Sequence, residues 1–118
     1  MDRRCRQFPG VCPRYQRAAE LLGRRWSAAV IRAAFDGPAR FTEIRTAVPG
    51  LSARLLAERL RELETAGVLE RVERPETPGV VQYRLTSKGA ALRRVVDELQ
   101  AWADVWEGRP PAEGTFEV

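Results

Sequence analysis

Residues Leu51 to Gly67, LSARLLAERLRELETAG, carry a complete set of helix signals. Ser52 is suited to the N-cap, where its side-chain oxygen accepts from a free N–H of the first turn. Leu51 and Leu56 occupy the positions of a hydrophobic staple. Gly67 follows the last turn, where a left-handed C-terminal cap favours glycine. In between, Leu56, Leu60 and Leu63 recur at intervals of four and three and share one face. Arg54, Glu58, Arg61 and Thr65 fall on the opposite face, with Arg59 and Glu62 on the flanks. One side is built for a core, and the other presents guanidinium groups outward.

A charged helix face is most often merely solvated. The residues after Gly67 argue for more. VLERVER (68–74) leads into a turn holding Pro75, Pro78 and Gly79, and then into VVQYRLT (80–86). Val81, Tyr83 and Leu85 alternate with Val80, Gln82 and Arg84, as in a half-buried strand. A helix followed by a two-stranded ribbon with arginines on both legs has the order of a winged helix-turn-helix. There the helix enters a major groove and the ribbon lies along the flanking backbone. Arg71, Arg74 and Arg84 are candidate phosphate contacts on this wing, the alternative being ordinary strand-surface charge.

Working outward, FTEIRTAV (41–48) predicts a short helix with Thr42 as a cap and Ile44, Ala47 and Val48 turned inward. Pro49-Gly50 supplies the turn into Leu51. Upstream, Cys12-Pro13 opens a first helix, since proline suits the first helical position. Tyr15, Ala18, Ala19 and Leu22 share its apolar face, and Gly23 ends it. A second helix is expected from Trp26 to Phe35, with Arg24 and Arg25 at the joint. Downstream, Thr86 or Ser87 caps a long last helix reaching about Glu107. Leu92, Val95, Val96, Leu99, Trp102, Ala103 and Trp106 form its apolar stripe. The lower half of that stripe exceeds what one small domain can cover, so burial against a second subunit is expected. Residues 1–11 read as a flexible arm and residues 108–118 as a mobile tail, leaving 12–107 as the single folded domain.

The chain has 118 residues, with 20 basic against 16 acidic groups and a net charge of +4. Residues 1–61 hold 13 Arg and 5 acids, whereas residues 62–118 hold 7 basic and 11 acidic groups. A basic half joined to an acidic half points to a surface that faces a polyanion. Histidine is absent, which removes His-dependent catalysis and His-containing metal sites. Two cysteines alone make a poor metal site, and no carboxylate pair stands out, so neither an enzyme nor a cofactor is expected. No apolar run is long enough to span a membrane and the first residues are polar, which predicts a cytoplasmic protein. Cys5 and Cys12 are then expected to rest as thiols.

Taken together, these segments resemble the HxlR-type family of bacterial transcription regulators, within the broader MarR-like winged-helix group. The resemblance rests on Cys12-Pro13, Gly23-Arg-Arg-Trp26, Gly37-Pro-Ala-Arg-Phe41, Pro49-Gly-Leu-Ser52, Leu56-Ala-Glu-Arg-Leu-Arg-Glu-Leu63, Ala66-Gly-Val-Leu-Glu-Arg71 and Tyr83-Arg-Leu-Thr-Ser-Lys-Gly89. It implies a mainly α fold with a small β-wing, dimeric through its first and last helices, on a pseudo-palindromic operator. It places Ser52, Ala53, Arg54, Glu58 and Arg61 on the recognition helix. Arg40 and Thr42 fall on the supporting helix, and Leu92, Val96, Leu99, Trp102 and Trp106 in the dimer interface. Cys12 matches a cysteine that senses quinones, electrophiles or oxidants in some members, although its interval to Trp26 is one residue longer than in the family pattern. A helix N-terminus with Arg14 and Arg17 nearby favours a thiolate there; the competing reading is an inert structural cysteine. Cys5 is either a resolving thiol for Cys12 or without a role. The function expected is sequence-specific binding of double-stranded DNA by a homodimer, with an oxidant or small-molecule effector. The alternative is a winged-helix module that binds protein partners instead of DNA.

Overall fold

The computed structural model describes residues 10–108. The predicted arm and tail fall largely outside them, and Cys5 lies outside them altogether. The elements in order are α1 (Pro13–Gly23), α2 (Ser27–Ala33), β1 (Ala39–Arg40), α3 (Phe41–Ala47), α4 (Ala53–Thr65), β2 (Leu69–Glu73), β3 (Val81–Leu85), α5 (Ser87–Ala90) and α6 (Arg93–Trp106). The fold is the expected winged helix-turn-helix: mainly helical, with one small antiparallel sheet in the order β1-β3-β2.

The core is a single cluster in which Val30 and Ile31 of α2, Ile44 of α3, and Leu56, Leu60 and Leu63 of α4 meet Val68 and Leu69 at the root of the wing. Helix α4 is set at both ends by the chemistry its sequence announces. Ser52 Oγ accepts from the Leu55 N–H at 3.1 Å. At the other end Gly67 takes φ +79°, and the amides of Gly67 and Val68 donate to the carbonyls of Glu64 and Leu63. That pair of bonds is a Schellman cap, which needs a left-handed residue where Gly67 stands. Leu51 and Leu56, the two staple positions, are both buried.

Four expectations are corrected. First, the segment before α3 is a strand: Ala39 and Arg40 pair with Tyr83 and Gln82 of β3. This pairing starts α3 at Phe41 and makes Arg40 its N-cap residue, so Thr42 lies inside the first turn and does not cap. The Arg40 N–H instead donates to Glu43 Oε1 at 2.8 Å; a guanidinium has no acceptor with which to complete a capping box. Second, Ala47 is exposed, and the inward side of α3 is carried by Ile44 and Val48. Third, α2 begins at Ser27, because Trp26 adopts φ +77° and cannot extend a right-handed helix. Fourth, the last helix is broken at Ala91–Leu92, where the Leu92 amide bonds three residues back to Gly89, a tightened turn between α5 and α6.

Gly89 fits where no side chain could. A Cβ there would lie 2.2 Å from the Val68 carbonyl oxygen and 3.0 Å from Leu85 Cδ2. Around it, Thr86 Oγ1 accepts from the Gly89 N–H and donates to the Gly67 carbonyl, while Lys88 Nζ donates to the Ala66 carbonyl at 2.7 Å. The C-terminus of α4, the root of the wing and α5 are thereby fastened together. Helix α1, in contrast, buries none of its residues, and α6 buries only Val96.

Candidate nucleic-acid interface

Because the leucines of α4 are locked into the core, its opposite face is fixed toward solvent. Ser52, Ala53, Arg54 and Arg61 are exposed there and Glu58 is half-buried. The Arg54 side chain is 89% exposed, and its Nε lies 3.8 Å from Glu58 Oε2. An exposed pair at that distance is worth roughly 0–1 kcal/mol, so the guanidinium is at liberty to exchange Glu58 for another acceptor. Arg61 lines a groove between α4 and the wing together with Phe41, Glu64, Arg71 and Tyr83. The turn into α4 is held by Arg45 of α3, whose Nε donates to the Leu51 carbonyl at 3.1 Å.

On the wing, register decides which charges meet. Glu70 stands opposite Arg84 and Arg71 opposite Tyr83. Arg84 Nε and Glu70 Oε2 are 2.6 Å apart. The neighbouring Tyr83 side chain pushes the Arg71 pKa above its ordinary value. Arg74, in the turn beyond β2, is exposed and has no ion pair among the described residues. Arg40 lies at the edge of the same sheet, its Nε 3.8 Å from Glu43 Oε2. The arginines singled out from the sequence thus divide into two sets. Arg54 and Arg61 project from α4, whereas Arg40, Arg71, Arg74 and Arg84 line the sheet and its turn.

One buried cation escaped the sequence reading. Arg59, expected on a flank of α4, is buried at 7% exposure, and its Nε donates to the Arg25 carbonyl at 2.8 Å. The partner is a backbone atom 34 residues away in sequence, which periodicity within one helix does not reveal.

Cys12 is the N-cap residue of α1 and is buried. In this structure it is disulfide-bonded, the oxidised counterpart of the thiol expected at rest. On α6 the apolar stripe is real but mostly uncovered: Leu99 is 56% exposed, Trp102 56% and Trp106 68%. Val105, not singled out from the sequence, extends it, and Tyr15 of α1 is likewise exposed. Leu92 is half-buried against the core and Val96 is buried. Among the described residues no His/Cys/Asp/Glu group could hold a metal ion, and no helix is long and apolar enough to cross a membrane.

Comparison with known proteins gives this arrangement its context. The HxlR-like helix-turn-helix family matches residues 21–110. The HTH-type transcriptional regulator YodB of Bacillus subtilis (strain 168) is 50% identical over 94 residues, which are 80% of this chain and 84% of YodB. YvaP, an HTH-type transcriptional regulator of the same organism, is 45% identical over 96 residues, 81% of this chain and 89% of YvaP. The solved reduced form of YodB superposes with a TM-score of 0.73 at 49% identity, covering 81% of this chain and 94% of that one. YodB has also been solved diamide-treated (TM-score 0.70, 48% identity, 83% and 97% covered) and quinone-bound (0.69, 45%, 80% and 100%). Fold, motif order and relatives agree: the chain belongs to the HxlR-like helix-turn-helix family and is a DNA-binding transcriptional regulator.

Proposed function

We propose that this regulator acts as a homodimer on a pseudo-palindromic operator, reading bases with α4 and holding phosphates with the wing. The observation that carries the reading is the division of α4 into a leucine face sealed in the core and an arginine face open to solvent. Arg54, in the first turn, is the base reader, and Arg61 reads a base or the backbone. Ser52 and Ala53 approach the groove floor, and Glu58 tempers the charge of Arg54. Arg40, Arg71, Arg74 and Arg84 contact phosphates, with Thr42 beside Arg40 at the supporting helix. The uncovered stripe Leu99, Trp102, Val105 and Trp106, together with the exposed Tyr15 of α1, supports pairing with a second copy. The test is fluorescence anisotropy with labelled DNA from upstream of the gene against a scrambled duplex at several salt concentrations. Tight, salt-sensitive preference for the upstream DNA is expected. Equal, weak binding to both duplexes at every salt overturns this operator assignment and favours a protein-binding role.

Oxidants or electrophiles are the proposed effectors. Support comes from the diamide-treated and quinone-bound forms of YodB and from the disulfide at Cys12 beside the start of α1. Repeating the titration with diamide and with a thiol reductant, on the wild type and Cys12→Ser, tests it. A redox-dependent change in operator affinity that disappears in Cys12→Ser is expected; an identical change in both proteins excludes Cys12.

A further inference from the structure

The buried face of α4 carries a cation among its leucines. The Arg59 side chain is 9% exposed. Its Nε donates to the Arg25 carbonyl at 2.8 Å and its Nη1 to both carboxylate oxygens of Glu62 at 3.3 Å. Stability alone does not call for a charge here, because well-packed apolar residues replace buried ion pairs without loss and often with gain. What a guanidinium adds is direction. Leucine contacts are non-directional, whereas a planar fork engaged at two acceptors fixes the azimuth of the helix that bears it.

The anchor belongs to a rigid place. Arg25 lies in the joint between α1 and α2, and the next residue, Trp26, is the one non-glycine at positive φ among the described residues. The Trp26 ring lies beside Gly50 in the turn before α4, and Arg25 stacks on it at 5.2 Å. Arg24, from the same joint, contacts Glu62 from its Nε and Nη2 at 3.2 Å each. At the other end Glu58 is shared, 3.8 Å from Arg59 through Oε1 and 3.8 Å from Arg54 through Oε2. A line of alternating charges therefore runs from the joint to the exposed first turn: Arg24, Glu62, Arg59, Glu58, Arg54.

We infer that Arg59 is a positioning residue for DNA reading: without touching DNA, it locks the rotation of α4 to the α1–α2 joint and, through Glu58, sets the aim of Arg54. The inference rests on the assignment of Arg54 as a base reader. Arg59→Lys keeps the charge and loses the fork, so it separates aim from electrostatics. The wild type, Arg59→Lys, Arg54→Ala and the double variant are titrated against a duplex that the wild-type protein enriches from a random pool. A scrambled duplex serves as reference, salt is varied, and each protein is first checked by thermal melting. Arg59→Lys is expected to lose about tenfold on the enriched duplex, nothing on the scrambled one, and nothing further when Arg54 is already alanine. Full discrimination by Arg59→Lys, an equal loss on both duplexes, or losses that simply add to those of Arg54→Ala overturn the inference. Should Arg59→Lys melt below the assay temperature, Glu62→Gln weakens the same anchor at a half-buried position and is judged by the same criteria. A wild type that enriches no sequence overturns the DNA reading itself and the inference with it.

Discussion

Arg54 is held by one loose contact to Glu58 and otherwise faces solvent. A side chain in that state retains its rotamer freedom until a ligand arrives, and a bidentate contact to guanine then uses both the charge and the plane of the guanidinium. Arg54→Ala is therefore expected to relax specificity at one operator position, by about 1–3 kcal/mol of discrimination, while the fold and the other positions are unaffected. Selection of preferred sites by the variant checks this; unchanged base preferences would remove Arg54 from the reading set. Arg84 differs in kind, since Glu70 already holds it at 2.6 Å across the ribbon. A phosphate must displace or share that carboxylate, and the contact is indifferent to sequence. Arg84→Ala is expected to weaken all duplexes alike and to lower the salt slope by about one unit, which titration over a range of salt measures; a constant slope would show that Glu70 keeps the charge to itself.

Among the elements, α4 was the most legible in sequence, because its cap, its staple, its leucine period and its glycine all act within a few residues of one another. The elements misjudged are those decided at a distance. Strand β1 is two residues long and exists only through pairing with β3, some 40 residues later. The break in the last helix follows directly on α5, whose Gly89 lies against Val68, again a distant partner, and the buried Arg59 bonds the Arg25 carbonyl. The groups of the candidate interface were legible for a matching reason: exposed arginines on a well-signalled helix need no tertiary partner to be placed. At this scale Gly89 makes a sharp prediction. Gly89→Ala puts a methyl group against the Val68 carbonyl and is expected to cost about 1–3 kcal/mol through forced backbone shifts. A lowered thermal midpoint checks it; an unchanged one would mean that α5 yields freely and does not fasten the wing.

For the whole molecule, the uncovered faces of α1 and α6 matter most. A lone domain with Leu99, Trp102, Val105 and Trp106 in water carries a cost that association removes. Trp106→Asp is expected to shift the protein from dimer toward monomer in analytical ultracentrifugation. Operator affinity should fall by about a hundredfold as the two half-sites lose their linkage. A variant that remains dimeric would place the interface elsewhere. The same stripe has an optical consequence. Trp102 and Trp106, two of the chain's three tryptophans, sit where a partner would strip water from their indoles, while Trp26 is fixed in the α1–α2 joint of each subunit. The colour of the intrinsic emission is thus a gauge of association, redder on dilution and bluer on assembly, and it needs no label.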